Sequence, residues 1–246
     1  MYNKIILHIP HSSDNFGCIE PWCRAYGKIW REKSMDLIDW YTDRLFVPER
    51  ETEDIIPVVF PFCRTACDVE RMSHDPLEEK GLGIINRELL RSADGAFDIF
   101  EKGFEKSLLK LYLEHQHKLA TLLVDNLEAF LIDCHSFSSG PTTLLPDATS
   151  NKEVDICIGF NDDFTKPEKS DIDGIADCFR NNGFKVSFNS PFSNSKTVDT
   201  PVNYRSLMIE VNKSLYMDEA TLTIKEEAFL HLKHILESVY RLILKG

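Results

Sequence analysis

The stretch at residues 127–137 constrains the fold of this chain more than any other part of the sequence. Its centre, residues 129–132, is an unbroken apolar run, which is typical of a strand buried on both faces of a sheet. The run ends in an acid, an imidazole and a hydroxyl, at Asp133, His135 and Ser136. In open α/β sheets, ligands bind beyond the carboxyl ends of the strands. These polar side chains are therefore candidates for a functional site.

Strand and helix patterns alternate along the chain, and this predicts an α/β fold with a mixed, mainly parallel central sheet. Apolar runs predict strands at residues 4–9, 55–62, 127–137, 155–160, 184–189 and 206–211. Helical periodicity predicts helices at residues 32–46, 96–126, 168–182 and 221–244. Loops are predicted between them, mainly at residues 10–27, 64–95, 138–151 and 190–201. Because no repeat or linker is evident, we expect one domain over residues 1–246.

The charge balance narrows the choice of partners. The chain has 28 Lys and Arg against 40 Asp and Glu, a formal net charge of -12. Nucleic acids and anionic membranes both require a basic face, so we expect neither as a partner. A small anionic substrate stays possible because it needs only one or two local arginines. The oligomeric state is left open.

The cysteines and the N-terminal segment indicate the cellular compartment in which we expect the protein. Seven cysteines, an odd number without a C-x-x-C pair, do not resemble a disulfide framework, and we expect them to be small buried side chains in a reducing environment. The chain begins with a predicted strand rather than a signal peptide, and no apolar run reaches membrane-spanning length. We therefore expect a soluble, cytoplasmic protein.

Polar side chains cluster after four of the predicted strands. They include two histidines and several carboxylates, at His11, at 68–71, at Asp133 and His135, and at Glu210 and Asn212. A catalytic zinc takes three N or O ligands from the protein and leaves a position for water. The metal lowers the pKa of that water, and a nearby carboxylate can act as general base. The pattern favours a metal-dependent hydrolase.

Each of these residues also has a purely structural interpretation. His11 after a proline is compatible with loop hydrogen bonding, His135 with a capping role, and Glu210 with an arginine partner. Two further histidine pairs have no supporting carboxylate and are interpreted as structural: His115 with His117, which we expect at the surface, and His231 with His234.

Six motifs in register resemble the N-formylglutamate amidohydrolase family, from about residue 5 to residue 219. They are Ile9-Pro-His-Ser-Ser13, Leu37-Ile-Asp-Trp-Tyr-Thr-Asp-Arg-Leu-Phe46, Cys67-Asp-Val-Glu-Arg71, Ile132-Asp-Cys-His-Ser-Phe137, Asn189-Ser-Pro-Phe192 and Ile209-Glu-Val-Asn-Lys-Ser-Leu-Tyr-Met-Asp218. This family is similar in fold to the zinc carboxypeptidases, with a three-layer α/β/α sandwich of the phosphorylase/hydrolase-like type. The resemblance implies hydrolysis of N-formyl-L-glutamate to formate and L-glutamate, the last step of one histidine-degradation route.

The resemblance also implies roles for individual residues. His11 and His135 would bind one zinc ion, and Glu210 would match the general base of the carboxypeptidases. Arg71, with Arg64 nearby, would bind a substrate carboxylate, since guanidinium groups form paired hydrogen bonds with carboxylates. Asn212, two residues after the base, is placed with the substrate-binding residues. Glu70 stands where the carboxypeptidases carry Asn, which is a departure from the pattern.

The third zinc ligand has two candidates. Carboxypeptidases use a Glu three residues after the first histidine, and Asp14 occupies the equivalent position here. Asp39 falls on the inner side of the predicted helix at residues 32–46, and an acid buried there requires a cation. We prefer Asp39 as the ligand, with Asp14 as the runner-up.

The expected mechanism uses water as the nucleophile, with Glu210 moving its proton. Asp133 would orient His135, the loop at residues 72–95 would close over the site, and Ser136 lacks the G-x-S-x-G surroundings of a serine nucleophile. Two alternatives stay open. One is a zinc deacylase or carboxypeptidase-like hydrolase of another N-acyl amino acid or a peptide, and the other is a non-enzymatic binding protein on the same scaffold.

Overall fold

The computed structural model of the chain describes residues 2–19, 34–50, 52–87, 103–140, 153–193, 197–198 and 202–245. Six of its strands form one sheet: β1 (Lys4–Ile9), β2 (Ile55–Val59), β3 (Ala129–Phe137), β4 (Ile156–Gly159), β5 (Val186–Phe188) and β6 (Arg205–Asn212). The four α-helices of the described residues that follow are α1 (Thr42–Phe46), α2 (Glu105–Asp125), α3 (Lys169–Arg180) and α4 (Glu226–Lys245). A small hairpin joins β7 (Met217–Asp218) to β8 (Thr223–Ile224).

The sheet is mixed and mainly parallel, as the sequence predicted. Its strand order is β2-β1-β3-β6-β4-β5, and only the β4–β6 pairing is antiparallel. Pro57 lies in β2, the strand at one edge of the sheet. An edge strand has one side free of ladder partners, so it tolerates a residue that lacks a backbone donor.

Successive side chains of β1 point to opposite faces of the sheet, and this places helices on both sides. Ile5, Leu7 and Ile9 share a core cluster with residues of α1, α3 and α4. Ile6 instead belongs to a cluster with Leu119 of α2. The helices therefore cover both faces, and the three-layer α/β/α arrangement is confirmed.

The predicted helix at residues 32–46 is wrong over its middle part. Residues 36–41 form turns, and only Thr42–Phe46 continues as a helix, while residues 32–33 lie outside the described chain. The backbone N–H of Asp39 donates to the carbonyl of His11, and Tyr41 adopts a left-handed conformation with φ 66. The break is caused by this long-range backbone bond, which periodicity does not encode.

Other element boundaries also differ from the predictions. Helix α2 begins at Glu105, after Gly103 with φ 72, and residues 96–102 of the predicted helix lie outside the described chain. Helix α4 begins at Glu226 because β7 and β8 occupy the preceding segment. In the predicted loop at residues 64–95, residues 64–87 are irregular apart from the short 3-10 helix Glu78–Lys80. Within the described residues, every helix is too short or too polar to span a bilayer.

Candidate active site

Three neighbouring parallel strands place the candidate residues at one edge of the sheet. His135 on β3 pairs across the ladder with Glu210 on β6, and His11 follows the end of β1. Asp39 reaches the same place because its backbone is bonded to His11. The strand ends predicted to converge therefore do so.

The two histidine rings lie side by side, with centroids 5.1 Å apart, and each is held through its Nε2 nitrogen. His11 Nε2 lies 2.9 Å from Asp68 Oδ1. His135 Nε2 lies 3.2 Å from Asp133 Oδ1 and 2.8 Å from Glu70 Oε1. In metal sites, a carboxylate commonly fixes a ligating histidine through the nitrogen that does not bind the metal. The Nδ1 nitrogens are the ones left to bind.

Both Nδ1 nitrogens face the carboxylate of Asp39. Its Oδ2 lies 2.9 Å from Nδ1 of His135 and 3.7 Å from Nδ1 of His11. The Nδ1 atom of His11 is buried and has no hydrogen-bond partner. An unpaired buried nitrogen beside a carboxylate and a second imidazole fits a divalent metal ion, because that donor set suits zinc.

Glu70 is a further candidate for the third ligand that the sequence argument did not propose. The ligand atoms of His11, Glu70 and His135 lie within 4.8 Å of one another, and Glu70 Oε2 lies 3.4 Å from His11 Nδ1. Asp14, the runner-up, is exposed, whereas Asp39 is 3% exposed. The geometry therefore adds Glu70 beside Asp39, and assignment of Asp39 as the ligand stays a prediction.

The charges in the cluster depend on one another. Burial raises the pKa of Asp39, but the neighbouring imidazoles of His11 and His135 outweigh it and hold that pKa below its usual range. Burial likewise opposes ionisation of Asp68, yet Arg64 and His11 keep its pKa well below the ordinary value. Both carboxylates are thus kept ionised, the form in which a carboxylate binds a metal or orients an imidazole.

Arg64 and Arg71 meet at Asp68, the residue that also holds His11. Arg64 Nη2 lies 2.9 Å from Asp68 Oδ2, and Arg71 Nε lies 3.6 Å from the same oxygen. Their side chains are 18% and 25% exposed. The two side chains thus lie next to the cluster and are partly exposed, as side chains that receive an anionic substrate must be.

Glu210 differs from the other acids of the site. It is 8% exposed, and its Oε2 atom is buried without a hydrogen-bond partner. Its pKa is raised to about 8, mainly by burial and also by the nearby acids Asp39 and Glu70, against the opposing effect of His135. A carboxyl group whose pKa lies near neutrality can both accept and return a proton.

Two residues that follow Glu210, Asn212 and Lys213, are also buried. Asn212 donates through Nδ2 to the carbonyl of Val154 at 3.0 Å, and its Oδ1 accepts from the backbone N–H of Ser214 at 3.1 Å. These bonds give Asn212 a structural role, and its part in substrate binding stays a prediction. Lys213, which the sequence argument passed over, is 3% exposed, and burial lowers its pKa while Asp39 raises it. Its cation is thus a further candidate for anion binding.

The expectation that His115 lies at the surface is wrong. His115 is 6% exposed, and its Nε2 lies 2.9 Å from Nε2 of His8, whereas His117 is exposed. The sequence gives only a weak signal for the contact between His8 and His115. His8 is a polar residue inside the buried strand β1, on the face that carries Ile6, and such a residue needs a polar partner. His231 and His234 are exposed, in agreement with their structural interpretation.

A buried histidine–carboxylate cluster at the carboxyl edge of a mixed α/β sheet is an arrangement used by metal-dependent hydrolases. A sequence model of the N-formylglutamate amidohydrolase family matches residues 3–217. The chain therefore belongs to the N-formylglutamate amidohydrolase family, and the resemblance noted in the sequence is confirmed.

Two solved structures have a similar fold. An N-formylglutamate amidohydrolase from Ralstonia eutropha JMP134 superimposes with a TM-score of 0.71 at 19% sequence identity, covering 99% of this chain and 92% of that one. The gene product Atu2144 from Agrobacterium tumefaciens gives a TM-score of 0.60 at 16% identity, covering 99% and 90%. A search of curated proteins gave no significant match. At these identities the structural matches establish the fold alone.

Proposed function

We propose that the protein is a zinc-dependent amidohydrolase that cleaves N-formyl-L-glutamate to formate and L-glutamate. Membership of the family supports the reaction class. The observation that carries the proposal is the convergence of the Nδ1 nitrogens of His11 and His135 on Asp39, with Glu210 across the ladder from His135. The substrate is accordingly a small anionic N-acyl amino acid. We propose that the enzyme is soluble and cytoplasmic, where such a metabolite occurs.

One zinc ion would be held by His11, His135 and Asp39, with Glu70 as the alternative to Asp39. When bound, such an ion supplies electrophilic polarisation of the formyl carbonyl and makes a neighbouring water more acidic. Asp68 and Asp133 contact the two imidazoles at Nε2, which leaves both Nδ1 nitrogens directed toward Asp39 and available to bind such an ion.

Glu210 moves the proton in the proposed reaction. Its carboxylate accepts a proton from the water as the water oxygen bonds to the formyl carbon. It then delivers that proton to the amide nitrogen as the C–N bond breaks, which releases formate and the free amine of glutamate. Its buried, unpaired Oε2 supports this role because that oxygen is free to accept a proton.

Cationic side chains would orient the substrate carboxylates. Arg71 and Arg64 both contact Asp68 and so lie together on one side of the site. The buried Lys213 adds a third positive charge near Asp39. Fixing two carboxylates on glutamate holds the formyl group in place relative to the water. A monocarboxylate substrate should bind less tightly.

The test is steady-state kinetics on zinc-loaded protein with four substrates: N-formylglutamate, N-acetylglutamate, N-formylaspartate and a short peptide. We expect formate release from N-formylglutamate with the highest kcat/KM, and loss of turnover after removal of zinc by a chelator. Equal or higher kcat/KM on another compound would reassign the substrate. Protein that binds no zinc and hydrolyses none of the four would favour a non-enzymatic binding protein.

A second candidate function has one specific observation in its favour. Glu70 places an additional acid beside Arg71 and against His135 Nε2, where the carboxypeptidases carry a neutral Asn. This negative charge would partly offset the guanidinium and weaken its hold on a second substrate carboxylate. A zinc deacylase of another N-acyl amino acid or a peptide would tolerate that change, and the same substrate panel distinguishes the two.

A further inference from the structure

A line of buried side chains runs from helix α2 to the candidate zinc site. His115 Nε2 lies 2.9 Å from His8 Nε2, and His8 Nδ1 lies 2.9 Å from Asp133 Oδ1. The same Asp133 oxygen lies 3.2 Å from His135 Nε2. His8 is 0%, Asp133 1% and His115 6% exposed. Three secondary-structure elements thus contribute to one continuous line that ends on a proposed zinc ligand.

The chemistry of the groups fixes where the protons lie along this line. An ionised carboxylate can only accept, so His8 must carry its proton on Nδ1. The Nε2 of a neutral His8 is then a bare acceptor, and His115 must donate to it from its own Nε2. The hydrogen bonds of His115 and His8 therefore both point toward Asp133, whose Oδ1 accepts from His8 and lies 3.2 Å from His135 Nε2.

The surroundings of His8 and His115 keep both imidazoles neutral. Burial lowers the pKa of His8 to about 3 and that of His115 to about 2, so both rings are neutral at pH 7. The ring of Phe60 packs edge-on against His115, with centroids 5.1 Å apart, and contributes to the exclusion of water. A neutral, dry pair of imidazoles has few alternative partners, so the direction of the bonds is well determined.

We propose that His115 and His8 form a positioning relay, defined here as His115–His8–Asp133, which directs the Asp133 carboxylate at His135 and so sets zinc affinity. This inference rests on the proposed function, because it concerns the affinity of that zinc site. His135 Nε2 lies between Asp133 and Glu70, at 3.2 and 2.8 Å. Asp133 and Glu70 therefore compete for the same nitrogen. The relay holds Asp133 in place beside it, so that Glu70 can turn toward the metal or the substrate.

A second metal ion is the competing explanation, since ligand atoms of His8, Glu70 and Asp133 also lie within 4.8 Å of one another. An ion bound there through His8 would have to displace one of two protein hydrogen bonds, because both ring nitrogens already have partners. Such a loss leaves a buried polar group unsatisfied. The satisfied network favours a positioning role.

The test compares His115→Leu, which cannot donate to His8, with His115→Gln, which can. Zinc affinity is measured by competition with a chromophoric chelator, and the exposed His117→Leu is the matched control on the same helix. We expect a loss of roughly 10-fold or more in zinc affinity for His115→Leu, within the range for outer carboxylate–histidine partners, and little change in the other two. A loss of equal size in His115→Gln, or none in His115→Leu, would contradict the relay.

Two further measurements complete the test. Nitrogen-15 NMR of histidine-labelled protein should show the proton of His8 on Nδ1 and that of His115 on Nε2, and the opposite tautomer at His8 overturns the proposal even if His115→Leu does not fold. Two zinc ions per wild-type chain, and one after His8→Leu, would identify a second metal site instead. Wild-type protein without zinc would overturn the proposed function as well, whereas tight wild-type binding unchanged in His115→Leu overturns the relay alone.

Discussion

Glu210 on β6 lies directly across the parallel ladder from His135 on β3. Residues paired in this way direct their side chains to the same face of the sheet, so the acid stands beside the imidazole without being bonded to it. The unpaired Oε2 of Glu210 is consistent with that separation. This pairing assigns the two residues different tasks, metal binding for His135 and proton transfer for Glu210.

The first prediction tests proton transfer by Glu210. The change Glu210→Gln keeps the shape of the side chain but removes its ability to accept a proton, so kcat should fall roughly 10²–10⁴-fold. Zinc affinity should stay within about threefold of the wild type, because Glu210 is not a proposed ligand. Steady-state kinetics and zinc titration measure the two effects. Turnover within a few-fold of wild type at saturating zinc would rule out the assignment, and the exposed Glu227→Gln serves as the control.

The second prediction separates Asp39 from Glu70 as the third ligand. Asp39→Asn should weaken zinc binding by about 100-fold or more, because it replaces a negatively charged ligand, which faces both Nδ1 nitrogens, with a neutral amide. Glu70→Gln should weaken it much less, because Asp133 still holds His135 Nε2. Chelator competition on both variants, with the exposed Asp36→Asn as control, measures the difference. The reverse order of effects would make Glu70 the ligand.

The third prediction concerns recognition of the substrate carboxylate. Arg71→Ala should raise KM by roughly 10- to 100-fold, the equivalent of one or two charge-assisted hydrogen bonds, while kcat changes only a few-fold. Arg71→Lys should recover only part of the loss, because a lysine lacks the paired donors of a guanidinium. Kinetics with N-formylglutamate measure both variants. An unchanged KM in Arg71→Ala would remove Arg71 from substrate binding.

The sequence predicted the strands of the site because those strands are buried on both faces. An apolar run such as that of β3 has few alternative structures, and the polar residues at its end then locate the edge where ligands bind. His11 and His135 are proposed in this way, whereas Asp39 is proposed from its place on the inner side of the predicted helix at residues 32–46, with Asp14 as the runner-up. The local sequence pattern is sufficient to predict a site residue when that residue directly follows a buried strand.

Pairings between distant segments were not predictable from local pattern. Periodicity along α2 places His115 on the buried face with Tyr112 and Leu119, but it does not indicate the partner His8, which is 107 positions away. The break at residues 36–41 follows from the bond between Asp39 and His11, again between separate segments. Glu70 joins the cluster through an irregular loop whose path has no repeating signal. Each miss arises from a contact formed only when the sheet and its loops are assembled.

The last prediction tests whether Asn212 serves the fold or the substrate. Asn212→Ala removes the donor to the Val154 carbonyl and the acceptor for the Ser214 N–H, so the free energy of unfolding should fall by about 1–3 kcal/mol. KM for N-formylglutamate should stay within about threefold, because the amide is occupied by protein partners. Denaturant unfolding and kinetics on the same preparation give both quantities. A large rise in KM at unchanged stability would show instead that Asn212 binds the substrate, since a residue that only caps Lys213–Leu215 has no other route to KM.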